Sequence, residues 1–247
     1  MLNKRVIPTL LIRNRALVKT CQFNHFAYVG DPVNTVRIFN ELEVDEILVL
    51  DISADRFSRG PDIDLIDDIA SHCFMPLAYG GAISSIEDAA KVFGSGVEKV
   101  VLNTCLFDNT RLATDISNTY GSQSLIASID VRLTHSGYKV VRYGHEVLDI
   151  DPLHWALELQ SCGVGEILLT SVDNEGTWLG LDINLISLIS SSLSIPLIAH
   201  GGAGTFEHIS DVFSNTDAQA VGVGSMVVFL SKGMGVLVHS PFPSSPR

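Results

Sequence analysis

Short apolar runs rich in Val, Ile and Leu alternate with amphipathic stretches of helical length along almost the whole chain. Strands buried on both faces read as continuous apolar runs, so the pattern predicts parallel strands covered by helices. Eight such strands start near Val6 (VIPTLLI), Glu46 (EILVLDI), Pro76 (PLAY), Lys99 (KVVL), Leu125 (LIASIDV), Glu166 (EILLTS), Pro196 (PLIAH) and Ala220 (AVGVG). Segments between them, such as Pro32 to Glu43, Ile86 to Phe93, Arg111 to Tyr120 and Pro152 to Cys162, have the length and periodicity of covering helices. The Pro/Ser-rich end SPFPSSPR reads as a frayed tail.

The chain also realigns on itself. EVDEILVLDIS falls on GVGEILLTSVD with a shift of 120, placing Glu46 on Glu166 and Asp51 on Ser171. PLAYGGAISSIEDAAKVF realigns on PLIAHGGAGTFEHISDVF, placing Gly80 on Gly201 and Gly81 on Gly202 with a shift of 121, and LIASIDV falls on VIPTLLI with a shift of 119. Two copies of four βα units suit a closed ring and give an open sheet no advantage, so the expected fold is a (β/α)8 TIM barrel of the α/β class. We expect one domain over residues 1–247, with half-barrels of about 1–122 and 123–240 and a tail at 241–247.

Composition narrows the functional classes. A formal net charge of -12 disfavours nucleic acid and anionic membrane as partners, because both are bound by an excess of Lys and Arg. Cys21, Cys73, Cys105 and Cys162 form no CxxC pair or His-rich metal pattern and read as reduced thiols, so neither a metal nor a cofactor is expected. The apolar run before Arg13 is too short for a signal peptide and no stretch is long enough for a membrane span, which makes a cytoplasmic enzyme the default.

Candidate chemistry falls at the strand ends. Gly80-Gly81 and Gly201-Gly202 follow strands three and seven, where backbone without Cβ can approach a ligand and aim N–H groups at phosphate oxygens. Asn103-Thr104 and Gly224-Ser225, one strand later in each half, complete two possible cradles. Tight-turn geometry alone is the plainer reading of one such pair; two at equivalent places favour two anion sites. Asp51, Asp130 and Glu175 stand at or past the upper ends of strands two, five and six as candidate proton-transfer or binding carboxylates. For Asp51 a loop cap is an even alternative. Lys19, after strand one, reads equally as a mobile phosphate contact or a solvated loop lysine. Arg5, Glu46, Lys99 and Glu166 begin strands one, two, four and six, two cations and two anions that read by themselves as a structural salt-bridge ring at the barrel floor.

In the blocks KRVIP, GDPV, LDIS, GGAISSIEDA, GSQSLIASIDV, GEILLTSVDNEGT and IAHGGAG, spread over nearly the whole chain, the sequence resembles the cyclase subunit of imidazole glycerol phosphate synthase. The resemblance implies a glutaminase partner (HisH-like) at the amino-terminal face and an ammonia gate at Arg5, Glu46, Lys99 and Glu166. It implies phosphate sites at Gly81, Asn103 and Thr104 in one half and at Gly202, Gly224 and Ser225 in the other, with Ala82 and Lys19 adjoining the bound ligand. Of that family's two acid/base carboxylates only Asp130 is present: the strand-one aspartate is replaced by Leu11, and an alkyl group exchanges no proton. The strand-six loop has Glu175 for an aspartate, His200 stands where a small residue is usual, and the first glycine turn reads Tyr79-Gly80-Gly81-Ala82. Both of the last two changes crowd the pocket.

A barrel with the gate but half the proton-transfer pair resembles the paralogues that act in acetamidino modification of surface-polysaccharide sugars. That likeness implies a nucleotide-linked sugar as phosphorylated ligand and an ATP-using sugar amidotransferase as a further partner. The alternatives are a working histidine-pathway cyclase, a sugar-phosphate isomerase of the same two-half fold, and a non-catalytic scaffold for the glutaminase. His135, His145, His154 and His239 carry no assigned chemistry, and Trp178 reads either as a residue closing over a ligand or as a loop anchor.

Overall fold

Eight parallel strands close into a barrel because each of their apolar runs is buried on both faces, one towards the bore and one under the helices. The structure is a computed structural model, and it describes residues 4–53 and 60–240. In chain order its strands are β1 (Arg5–Arg13), β2 (Ala16–Cys21), β3 (Asn24–Gly30), β4 (Ile47–Asp51), β5 (Leu77–Gly80), β6 (Lys99–Leu102), β7 (Leu125–Thr134), β8 (Gly137–Arg142), β9 (Glu146–Val147), β10 (Glu166–Ser171), β11 (Leu197–His200) and β12 (Ala220–Val223). The barrel runs β1-β4-β5-β6-β7-β10-β11-β12, with β12 pairing back onto β1. All eight strands expected from the apolar runs are present, so the (β/α)8 barrel is the fold.

The helices are α1 (Pro32–Glu41), α2 (Ile63–Ala70), α3 (Ile86–Gly94), α4 (Cys105–Asp108), α5 (Arg111–Tyr120), α6 (Pro152–Ser161), α7 (Ile183–Ser190), α8 (Phe206–Asn215) and α9 (Ser225–Val228). Three pairs of their N-caps recur at the 120-residue offset of the sequence repeat. Asp31 and Asp151 cap helices that open on proline, Asp62 and Asp182 cap the next pair, and Ser85 and Thr205 the third. In each case a side-chain oxygen accepts an otherwise orphan N–H of the first turn, at 2.8 Å for Asp31 with Asn34 and 2.9 Å for Asp151 with His154.

Two apolar layers result from the alternation. Val6, Leu10 and Ile12 of β1 face outward into the large core beneath the helices, whereas Ile7 faces the bore. Ile7, Leu48, Ala78, Val101, Ile126, Leu168, Ile198 and Ala220, one from each barrel strand, form a separate buried cluster across that bore. Each such large aliphatic side chain contributes roughly 1.5–3 kcal/mol on burial.

Two excursions were not read from the sequence. After β1 the chain turns back as the antiparallel hairpin β2–β3, and after β7 as β8–β9. Both lie at the upper rim, where they extend the walls of the mouth. The end of the tail, 241–247, lies outside the described residues. Among those described, no helix is long and apolar enough to cross a membrane.

Candidate functional site

Residues two places apart on a strand share a face, so the bore can be followed upward layer by layer. At its foot, two places below the apolar cluster, stand Arg5, Glu46, Lys99 and Glu166. The structure brings all four together. Arg5 Nη1 donates to Glu46 Oε2 at 2.6 Å and Arg5 Nη2 donates to Glu166 Oε1, while Lys99 Nζ donates to Glu46 Oε1 at 2.8 Å and to Glu166 Oε2 at 3.1 Å. Each carboxylate thus spends one oxygen on each cation, and the ring is closed and charge-balanced. Both glutamates are buried. Burial works against the charge of Arg5, but Glu166 and Glu46 outweigh it and its pKa is raised.

Two places above the apolar cluster lies a layer of small and polar groups: Thr9, Gly80, Ser128, Thr170, His200 and Gly222, with Leu50. Above it opens a cavity of about 430 Å³, within the usual range for small-ligand sites. Asp51, Gly81, Ala82, Asn103, Thr104, Asp130 and Glu175 all line it, as does Leu11. Leu11 pairs with Leu50 of β4 and Val18 of β2, which fixes an isobutyl group in the wall where a carboxylate would be needed for a second acid/base.

The carboxylates differ in their surroundings. Asp130 Oδ2 accepts from Asn103 Nδ2 at 2.8 Å, at the neck between β6 and β7. Asp51 Oδ1 accepts from the backbone N and the Oγ of Ser53, at 2.9 and 2.5 Å, so the loop-cap role considered for it operates even as it lines the cavity. Glu175 is buried, and both its oxygens hold the first hairpin: Oε1 accepts from Thr20 Oγ1 at 2.8 Å and Oε2 from Phe23 N at 3.0 Å. The backbone adds to this latch, with Gln22 N donating to Glu175 O at 2.8 Å.

Lys19 requires a correction. It is not a solvated loop residue: it lies on β2, 4% exposed, with Nζ donating to Thr9 O at 2.5 Å, and it lines the smaller space beside Gly202, Gly224 and Ser225. Burial lowers its pKa to about 8, against the opposing pull of Glu175. His200 is buried beside it. The ring is bonded at Nδ1 to Thr170 Oγ1 at 3.2 Å, and Gly222 makes room for it, since a Cβ there would stand 3.0 Å from His200 Cδ2. Burial, and then the charge of Lys19, lower the His200 pKa to about 3, so the imidazole is neutral near pH 7.

The glycine doublets sit on one rim, as expected, and tight packing is a reason for each. At Gly81 (φ +139°) a Cβ would stand 2.7 Å from Asp51 Cβ, and at Gly202 (φ +106°) it would stand 2.1 Å from Gly180 O. The spaces beneath them differ. Gly81, Asn103 and Thr104 face the large cavity, whereas Gly202, Gly224 and Ser225 enclose about 20 Å³ together with Lys19, Glu175 and His200.

Sequence reasoning missed several wall residues. Phe23 and Phe26 come from the first hairpin and Tyr143 and Gly144 from the second. Ser128 was findable, because it lies two places before Asp130 on the same face, and Thr170 sits directly across from Asp130 in the β7–β10 register. Trp178 is a loop anchor: it packs against the main core, and a Cβ at Gly204 would meet its backbone at 2.7 Å. The four cysteines are free thiols.

Comparison with known proteins agrees with this architecture. The chain is 44% identical over 243 residues to a Pseudomonas aeruginosa protein provisionally named imidazole glycerol phosphate synthase subunit hisF2, covering 98% of this chain and 97% of that one. It is 39% identical over 250 residues to a Vibrio vulnificus protein provisionally named subunit hisF3 of the same enzyme, at 100% and 96% coverage. It is 40% identical over 231 residues to the imidazole glycerol phosphate synthase subunit HisF of Leptospira biflexa, at 92% and 91% coverage. The family model described as histidine biosynthesis protein matches residues 5–231, and the chain belongs to that family.

Proposed function

We propose that this barrel is the synthase-side subunit of a glutamine-dependent complex that delivers ammonia to a nucleotide-linked sugar, and that it does not run the cyclisation of histidine biosynthesis. A glutaminase docks at the amino-terminal face, over the Arg5–Glu46–Lys99–Glu166 ring. Ammonia is small and neutral. It crosses a charge-balanced ring and an apolar layer far more readily than an ammonium ion, for which the layer of Ile7, Leu48 and their neighbours is a desolvation barrier. The backbone and amide groups of Gly81, Asn103 and Thr104 hold the phosphate end of the ligand, and Asp130, oriented by Asn103, is the proton-transfer carboxylate. An ATP-using amidotransferase partner transfers a phosphoryl or adenylyl group to the N-acetyl oxygen, and ammonia adds to that carbon and expels the oxygen as phosphate or AMP, leaving an acetamidino group.

The observation that carries this reading is Leu11 in the cavity wall. One carboxylate moves one proton at a time, and the cyclase chemistry that the resemblance implies uses two. A second reading, a working cyclase, is favoured by the names of relatives near 40% identity such as the Leptospira biflexa subunit.

Calorimetric titration separates the two. A nucleotide-linked N-acetyl sugar should bind the wild-type chain and bind far more weakly to Asn103→Asp, whose added charge repels phosphate. Binding of the imidazole-type precursor with no binding of the nucleotide sugar would favour the cyclase.

A further inference from the structure

A molecule that has crossed the apolar layer of the bore meets next the layer of Thr9, Ser128, Thr170, His200 and Gly222. Two of its hydroxyls are already engaged. Thr9 Oγ1 donates down to Ile7 O at 3.3 Å, and Thr170 Oγ1 is bonded to His200 Nδ1 at 3.2 Å. The imidazole is held by its edges: Nδ1 faces Thr170 on β10, and Cδ2 lies against Gly222 on β12, where a Cβ would stand 3.0 Å away. Those two atoms flank the ring carbon nearest the backbone, so Nε2 is at the far corner, turned away from β11 into the bore. His200 is 8% exposed and lines the cavity, and among the described residues Nε2 has no hydrogen-bond partner. A buried polar nitrogen without a partner calls for an explanation. The spaces under the two glycine turns also meet at this ring, so a ligand held from one turn to the other passes over it.

We propose that His200 Nε2 receives ammonia at the exit of the bore: it accepts one N–H of the arriving molecule and leaves the nitrogen lone pair directed up at the ligand. The inference rests on the reading of the bore as an ammonia conduit. It requires one tautomer, with Nδ1–H donating to Thr170 Oγ1 and the ring lone pair on Nε2. With the proton on Nε2 instead, the ring would hold ammonia by the very lone pair that has to attack. Lys19 favours the required form. Its ammonium is tied to Thr9 O and stands beside Gly224, on the Nε2 side of the ring, and a cation stabilises a lone pair turned towards it over an N–H. The same charge opposes protonation of the ring, which would make Nε2 a donor. Ser128 is the other polar group of the layer that lines the cavity, and its hydroxyl is a weaker acceptor of an N–H than an imidazole nitrogen.

The first test is nitrogen NMR of the full-length chain, its histidines labelled with nitrogen-15. Ammonium chloride is titrated in at mildly alkaline pH, where a share of it is ammonia, with potassium chloride as the salt control. The His200 signals are those missing from His200→Gln or, should that variant not fold, those in contact with the Thr170 methyl protons. The ring should carry its proton on Nδ1, and Nε2 should shift with ammonium chloride alone. A proton on Nε2, or an Nε2 signal that ammonium chloride leaves in place, would overturn the inference. The second test feeds ammonium chloride, in place of glutamine, to the complex with its glutaminase and the ATP-using partner. His200→Leu should raise the KM for ammonia about tenfold, the worth of one neutral hydrogen bond, with a smaller change in kcat. His200→Gln keeps an acceptor oxygen near the place of Nε2 and should recover most of that loss. Equal KM values in wild type and a folded His200→Leu would also overturn the inference. A wild-type complex that forms no acetamidino sugar would end the proposed function instead, and the titration would still decide what His200 binds.

Discussion

Lys99 Nζ lies 2.8 Å from Glu46 Oε1 at the foot of the bore, and the same ammonium reaches Glu166 on the far side of the ring. The pairing gives Lys99 two roles that one substitution separates. Lys99→Ala leaves two buried carboxylates sharing Arg5 alone, which should cost about 2 kcal/mol in urea unfolding, less than a fully buried pair because the lysine side chain is 22% exposed. In the complex with its glutaminase the variant should hydrolyse glutamine but release more of the ammonia to solvent. Unchanged coupling in a folded variant would reduce the ring to structural charge pairs.

Glu175 latches the first hairpin through Thr20 and Phe23. Hydrogen bonds to an ionised group contribute about 1.5–3 kcal/mol each, more than neutral ones. Glu175→Ala should therefore speed amide exchange at Gln22 and Phe23 by one to two orders of magnitude and leave the barrel strands unchanged. Equal exchange in the variant would show that the hairpin is held by its packing.

His200 should make the protein acid-sensitive. Its folded pKa, about 3, lies below the ordinary value of 6.5, so between those values the unfolded chain binds a proton that the native one refuses. Stability from this group is complete above pH 6.5 and is lost as pH falls towards 3. His200→Gln should flatten the decline of the melting temperature across that window. A parallel decline in both proteins would show that other groups govern it.

Why the barrel was legible and its mouth was not follows from the two kinds of residue involved. Runs such as LIASIDV and EILLTS advertise strands buried on both faces, and a repeat that aligns Glu46 with Glu166 implies closure. The hairpins carry weaker marks. The β1–β2 turn uses Asn14 and Arg15 at positive φ, and the β2–β3 turn uses Gln22 and Phe23, where a glycine would have signalled a hairpin. Lys19 was misread for the same reason, since without β2 nothing placed it under the rim. The four floor charges were legible as strand entries, but their closure into one ring depends on the barrel's curvature and on side-chain reach.

The most direct test is the rate of cyclised product when the wild-type chain, its glutaminase partner and the imidazole-type precursor are combined, set beside the rate with Leu11→Asp. Restoring a positioned acid/base group should raise cyclisation by about 10²–10⁴-fold, from a wild-type rate close to background. A wild-type rate matching that of Leu11→Asp would contradict the account, because it would mean that Asp130 suffices and that the barrel is a cyclase.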